Sequence, residues 1–252
     1  MANTRPSLYV LTGSHPCAAV EEALRLKGID YKRVDLLPLS QLLLGPILYG
    51  GRTVPGMRLD GERIVGSRTI MRRLDELVAE PALLPAAGTA EYAQVLEAER
   101  WGDEVFQSVP RRIVDAGFLR RPDVMESYAG DAKLALPRPV LRPALPVTAK
   151  LMARLNGAKD EAVSADIAGL PRQLDRIDGW IAEGVLGGER PNAADLQIGS
   201  TLMLLMTIKD VAPMIQGRPA ERLTRYFTPM PGEVPAGTLP AEWLTPSAPA
   251  AA

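Results

Sequence analysis

The 252-residue sequence holds one cysteine and one histidine. A single cysteine closes no internal disulfide and builds no cysteine-ligated metal site, and a single histidine excludes a poly-histidine centre. That usage suits a reducing compartment. Charge of one sign is missing too: 29 basic against 30 acidic side chains leave a net charge of -1, which gives a nucleic acid no electrostatic footing. Long apolar runs are also absent. "LQIGSTLMLLMTI" is too short to span a bilayer and reads as a core helix. "MANTRPSLYVLTG" follows its arginine with too short an apolar run for an export signal. The expectation is a cytoplasmic protein with no nucleic-acid partner, no metal and no membrane span.

What the chain does have is core material, at 46% hydrophobic and 23% charged residues, enough for one large domain or two smaller ones. Up to about Leu77 strand and helix patterns alternate. "SLYVL" reads as a strand buried on both faces. Cys17, Val20 and Leu24 recur at helical spacing until Gly28 stops the helix. "YKRVDLL" is a short second strand, and "TVPGMRL" and "RIVGS" flank Asp60-Gly61, a hairpin-turn signal. "SRTIMRRLDELV" closes the unit as a helix with Ile70, Leu74 and Leu77 on one face. The order is β-α-β, then β-β-α.

A linker, "AEPALLPAAGTA", ends the strand signal. Beyond it a long amphipathic helix runs through Val95, Ala98, Val105, Phe106 and Val109, with Pro110 expected to bend or end it. The prolines of "LPRPVLRPALP" predict an extended or broken connection. Ile167, Leu170, Leu174, Ile177 and Ile181 form a helical stripe that Pro171 could kink, and "NAADLQIGSTLMLLM" is apolar nearly all round. No internal repeat is visible. The domain boundaries expected are 1–80, a linker at 81–90, an all-helical domain at 91–227 and a proline-rich tail at 228–252, partly disordered or draped over the surface.

Several positions carry chemistry or capping. Ser14 stands where the first helix begins, with Pro16 in its first turn, and reads as a helix cap. Cys17 lies one turn later and reads first as a small apolar residue. His15 is expected on an exposed loop. Ser67 is a suitable N-cap for its helix. Asn192 and Asp195 form a capping box, a folding device rather than a reactive pair. Arg111 and Arg112 read as a solvated pair.

Three segments together resemble the glutathione S-transferase superfamily: "LYVLTGSHPCAAVEEALRLKGIDY", "TVPGMRLDGERIVGSRTI" and "GGERPNAADLQIGS". The last is also similar to the type 2 prostaglandin E synthase branch. The resemblance implies an α/β thioredoxin-like N-terminal domain followed by an all-α C-terminal domain. It implies glutathione or another low-molecular-weight thiol as co-substrate, a hydrophobic electrophile as acceptor, and a homodimer. Ser14 falls at the family's thiol-activating position, and "SHPC" is similar to a Cys-x-Pro-Cys loop whose first cysteine is serine. Val54 would meet the thiol through its backbone beside a cis Pro55, and Ser67 would hold the γ-glutamyl carboxylate. Gly66 departs from the Glu or Gln of many members and offers the ligand's ammonium nothing. Arg111 and Arg112 would sit on a helix facing the cleft. The first reading is thus a thiol transferase. The rivals are redox or isomerase chemistry through Cys17, as in glutaredoxin-like or prostaglandin-synthase-like relatives, and a binding protein that kept only the fold.

Overall fold

The computed structural model describes residues 5–244; the last eight residues of the expected tail lie outside them. Strand β1 (Ser7–Val10) pairs in parallel with β2 (Lys32–Asp35) and antiparallel with β3 (Gly56–Leu59). β3 continues into β4 (Glu62–Val65) through Asp60 and Gly61, whose φ of 47° and 86° suit the tight hairpin that this dipeptide favours. The sheet order is β2-β1-β3-β4.

The period-2 pattern sorts the strand residues onto two faces. Leu8, Val10, Met57 and Ile64 pack with Cys17, Val20 and Leu24 of α1 (His15–Leu26) and Ile70 and Leu74 of α3 (Ser67–Leu77). Tyr9 turns the other way and meets Leu36 and Tyr49. Gly56 makes that second layer work. A Cβ there would lie 2.1 Å from the Tyr49 ring, so the buried ring rests on bare strand backbone.

One element departs from the expected β-α-β-β-β-α order. Helix α2 (Gln41–Leu48) lies between β2 and β3. Its Gly45 and Pro46 are poor helix formers, yet packing demands the glycine. A Cβ on Gly45 would come within 2.1 Å of the Gly51 carbonyl oxygen.

From Ala90 the chain is helical. Thr89 caps α4 (Ala90–Trp101) by accepting from the Tyr92 N–H at 3.1 Å. The long helix breaks at a π-turn over Gly102–Phe106, not at Pro110. Pro110 sits in the first turn of α5 (Ser108–Arg120), where no backbone N–H is required. The proline-rich segment likewise winds into helical turns rather than extending. Pro139 lies at the start of α6 (Arg138–Leu141) and Pro146 at the start of α7 (Leu145–Asn156). α8 (Asp160–Ala182) runs through Pro171, and α9 (Ala193–Met206) is buried on all sides.

The capping box on α9 is complete. Asn192 accepts from the Asp195 N–H, and Asp195 accepts from the N–H groups of Asn192 and Gly187 at 3.0 and 2.7 Å. The first part of the tail is packed down: Val234 bridges Ile208 and is fully buried, and a short α10 (Ala241–Leu244) places Trp243 beneath Arg120.

Contacts between the α/β unit and the helices are extensive. Leu83, Ala193 and Leu196 complete the α/β cluster. Glu99, fully buried on α4, receives two hydrogen bonds from Arg72 of α3 at 2.8 and 2.5 Å. The buried Lys27 ammonium lies 2.5 Å from Asp75, whose carboxylate also accepts from the N–H groups of Leu83 and Leu84 in the linker.

Candidate active site

A cavity of about 510 Å³ lies between the sheet end and the helices. Its α/β wall comprises the turn before α1, the Val54-Pro55 segment and the start of α3. Of the six positions that the resemblance marks for thiol activation and binding, five line it: Ser14, Val54, Pro55, Gly66 and Ser67. Cys17 does not. The peptide bond between Val54 and Pro55 is cis, as the resemblance implies, and Glu80-Pro81 is a second cis bond that no sequence signal marks.

Ser14 is the N-cap residue of α1, yet its side chain makes no capping hydrogen bond. The hydroxyl instead meets the Cys17 thiol one turn on, at a helix end where free N–H groups and the dipole favour negative charge. Cys17 is 1% exposed, and burial pushes its thiol up to about 12, against smaller opposing effects from Ser14 and the Leu11 backbone. Such a thiol carries almost no thiolate at neutral pH. It is a core residue.

Ser67 is not the N-cap of α3. Gly66 takes that position with φ 91° and ψ 143°, a conformation essentially reserved for glycine. A Cβ on Gly66 would meet nothing within 4 Å, so backbone geometry rather than space selects the residue. The Ser67 hydroxyl donates to Gln197 Oε1 on α9 at 3.0 Å.

Buried polar side chains from both units complete the lining. His15, expected on an exposed loop, is 2% exposed as the first residue of α1, and its Nε2 has no partner. Burial, aided by the Arg111 charge, holds it well below the usual histidine range, so the ring is neutral. Arg111 lines the cavity and donates to Gln107 Oε1 at 2.8 Å. Arg112 points away and pairs with Asp166 of α8 at 2.5 Å. The two arginines thus part company rather than forming a solvated pair.

Asp115, fully buried, accepts from Asn156 Nδ2 at 2.7 Å while its other oxygen has no partner. Burial raises it to about 6, against weaker stabilisation by Asn156 and Arg111. Asp103 also lines the cavity, carried by the π-turn; burial raises it, opposed mainly by Arg68. Apolar walls complete the space: Val114, Phe118, Met125 and Leu155 among others. Sequence reasoning missed Asp103, Asp115 and Asn156. For Asp115 a signal exists, a charged residue inside the apolar run "IVDAGF". Asp103 and Asn156 carry none.

Residues 8–82 match the family model described as "Glutathione S-transferase, N-terminal domain". No curated protein sequence matches the chain. Similar solved structures include apo glutathione S-transferase III, at 21% identity and TM-score 0.57 over 88% of this chain and 89% of that one. A glutathione S-transferase from Sinorhizobium meliloti matches at 17% identity and TM-score 0.57, over 93% and 97%. One from Rhodospirillum rubrum matches at 21% identity and TM-score 0.54, over 92% and 97%.

Proposed function

Because residues 8–82 belong to the glutathione S-transferase N-terminal domain family and the chain takes the glutathione transferase fold, we propose that the protein joins a small thiol, glutathione or a close relative, to an electrophile. The observation carrying this reading is one cavity that gathers Ser14, Val54, Pro55 and Ser67 on one wall and an apolar surface on the other.

The thiol ligand fits these residues. Its sulfur comes to the Ser14 hydroxyl and the N-terminal end of α1, which favour negative charge there. Lowering a thiol pKa from about 8.5–9 toward neutrality raises the thiolate fraction roughly tenfold. The cysteinyl amide meets the Val54 backbone. The γ-glutamyl carboxylate meets the backbone N–H groups at the N-terminus of α3, that of Ser67 among them, while the Ser67 hydroxyl stays on Gln197. Asp103 takes the ammonium that Gly66 cannot serve, since its carboxylate lines the same cavity from across the cleft. The thiol gives its proton to water, and the thiolate attacks an electrophilic carbon of the acceptor: the S–C bond forms as a leaving group departs with its electron pair, or as a conjugated C=C π pair shifts onto the acceptor and takes a proton from water. We infer that the acceptor has an apolar body against Val114, Phe118 and Leu155. One anionic or hydrogen-bonding group on it would reach Arg111. Redox chemistry through Cys17 draws no support from a buried thiol pushed to about 12.

A thermal-shift series with glutathione, cysteine and γ-glutamylcysteine tests the reading. A ligand present at 100 times its Kd should add about 2.7 kcal/mol of stability. If none of the thiols raises Tm, the proposal fails.

A further inference from the structure

The exposed apolar side chains of the molecule are not scattered. Among the described residues, eight of the ten large exposed hydrophobics fall on two segments. Leu43, Leu44 and Ile47 are on α2; Leu136, Val140, Val147, Leu151 and Leu155 are on α6, α7 and the stretch before them. Both segments also border the cavity, through Leu39 and Leu42 on one side and Leu134, Met152 and Leu155 on the other. The mouth of the cavity therefore has two greasy lips.

Charge is uneven in the same place. Residues 132–159 contain Lys133, Arg138, Arg142, Lys150, Arg154 and Lys159 and no acidic residue, in a chain whose net charge is -1. Arg142 pairs with Glu126, and Arg138 donates to the Gly130 carbonyl. Among the described residues the other four have no ion-pair partner. On α7 the stripe Val147, Leu151, Leu155 recurs at intervals of four, with Lys150 and Arg154 along one flank and the buried Ala149 and Ala153 opposite. A helix with an exposed aliphatic stripe edged by cations is the pattern of an interfacial membrane helix.

We propose that α2, α6 and α7 form a docking surface for an anionic lipid bilayer, seating the cavity mouth against the membrane. No helix among the described residues is long and apolar enough to cross a membrane, so the association is peripheral. A second copy of the chain is a poorer occupant, because a two-fold contact would set this cationic face against itself. A nucleic acid is poorer still, since residues 132–159 contain no aromatic side chain on which bases could stack. An electrophile dissolved in the bilayer would then enter the cavity without crossing water.

The test is flotation of the full chain with phosphatidylcholine vesicles, with and without about 30% phosphatidylserine, alongside sedimentation velocity without lipid. Binding should need the anionic lipid and should fall as salt rises from 0.1 to 0.5 M, because surface charge is screened. The exposed changes Lys150→Glu with Arg154→Glu should cut partitioning onto the anionic vesicles by roughly tenfold or more. Val147→Ser with Leu151→Ser should lower it at unchanged charge. None of these four residues lines the cavity. Equal binding to both vesicle types, no binding, or variants that bind like the parent would overturn the proposal. So would Val147→Ser with Leu151→Ser converting a dimer to a monomer, which would make this face a contact between copies. None of the readouts depends on a thiol, so the reading of the cavity stands or falls separately.

Discussion

The two walls of the cavity are built by different means. The α/β wall works through backbone: a helix end at Ser14, a cis peptide before Pro55 and a left-handed glycine at position 66. The helical wall works through buried side chains, with one oxygen of Asp115 left without a partner. Backbone devices are recognised locally and hold whatever the distant chain does. Buried polar groups depend on residues far apart and cost stability until something fills the space. On the proposed reading, the first wall holds the thiol and the second the acceptor.

The largest expected effect tests the first wall at the side chain proposed to activate the thiol. Ser14→Ala should lower kcat/KM of conjugation by about 10²–10³-fold, the usual cost of one donor aimed at a developing anion. Stability should fall only modestly, since the hydroxyl caps no backbone N–H and its partner is the Cys17 thiol. A fall of less than threefold would leave the dipole of α1 as the whole of the thiol activation.

Asp115 tests the second wall. Its carboxyl is raised from 3.8 to about 6 by burial. The folded state therefore holds the proton more tightly than the unfolded chain does. Its favourable contribution is complete below about pH 4 and is lost as pH rises through 6. A shift of two units corresponds to about 3 kcal/mol at most. Asp115→Asn keeps an acceptor for Asn156 and should flatten the loss between pH 4 and 6.5. Urea unfolding across that range measures it; identical slopes in both proteins would mean that Asp115 ionises freely.

Asp103 bears on whether the helical wall also holds the thiol. Asp103→Asn should weaken glutathione binding by roughly ten- to hundredfold, the cost of about 1.5–3 kcal/mol for a charge-assisted bond. Calorimetric titration reads it, and unchanged affinity would return the ammonium to another partner. Gly66→Ala should cost about 1–3 kcal/mol of stability through backbone strain alone, visible as a lower urea midpoint. The smallest effect belongs to Cys17. Alkylation of the folded protein should be slow near pH 7, and Cys17→Ala should leave conjugation within about twofold while destabilising the core modestly. Rapid labelling with loss of activity would revive the redox reading.

Legibility in the sequence follows the same division. The strands, the Asp60-Gly61 turn, the N-terminus of α1 and the Asn192–Asp195 box are local patterns, and each is where the spacing puts it. The α/β wall is read because its residues sit in such patterns. α2 escapes notice because Gly45 is required by a contact with Gly51 that no neighbouring residue announces. The winding of residues 138–156 escapes because their prolines fall at helix starts, which composition alone does not distinguish from breaks. His15 is misplaced on a loop because the groups that bury it include Arg111 and Gln107, nearly a hundred residues on.

The Lys27–Asp75 pair reaches further than its two helices. Asp75 also fastens the linker through Leu83 and Leu84, while Leu83, Ala193 and Leu196 fill the α/β cluster. Cut at residue 80, the first unit would keep a carboxylate without its backbone donors and an open flank where three aliphatic side chains belong. The contacts predict that the two units melt in one transition, and that the chain cut to its α/β half does not fold as this structure does.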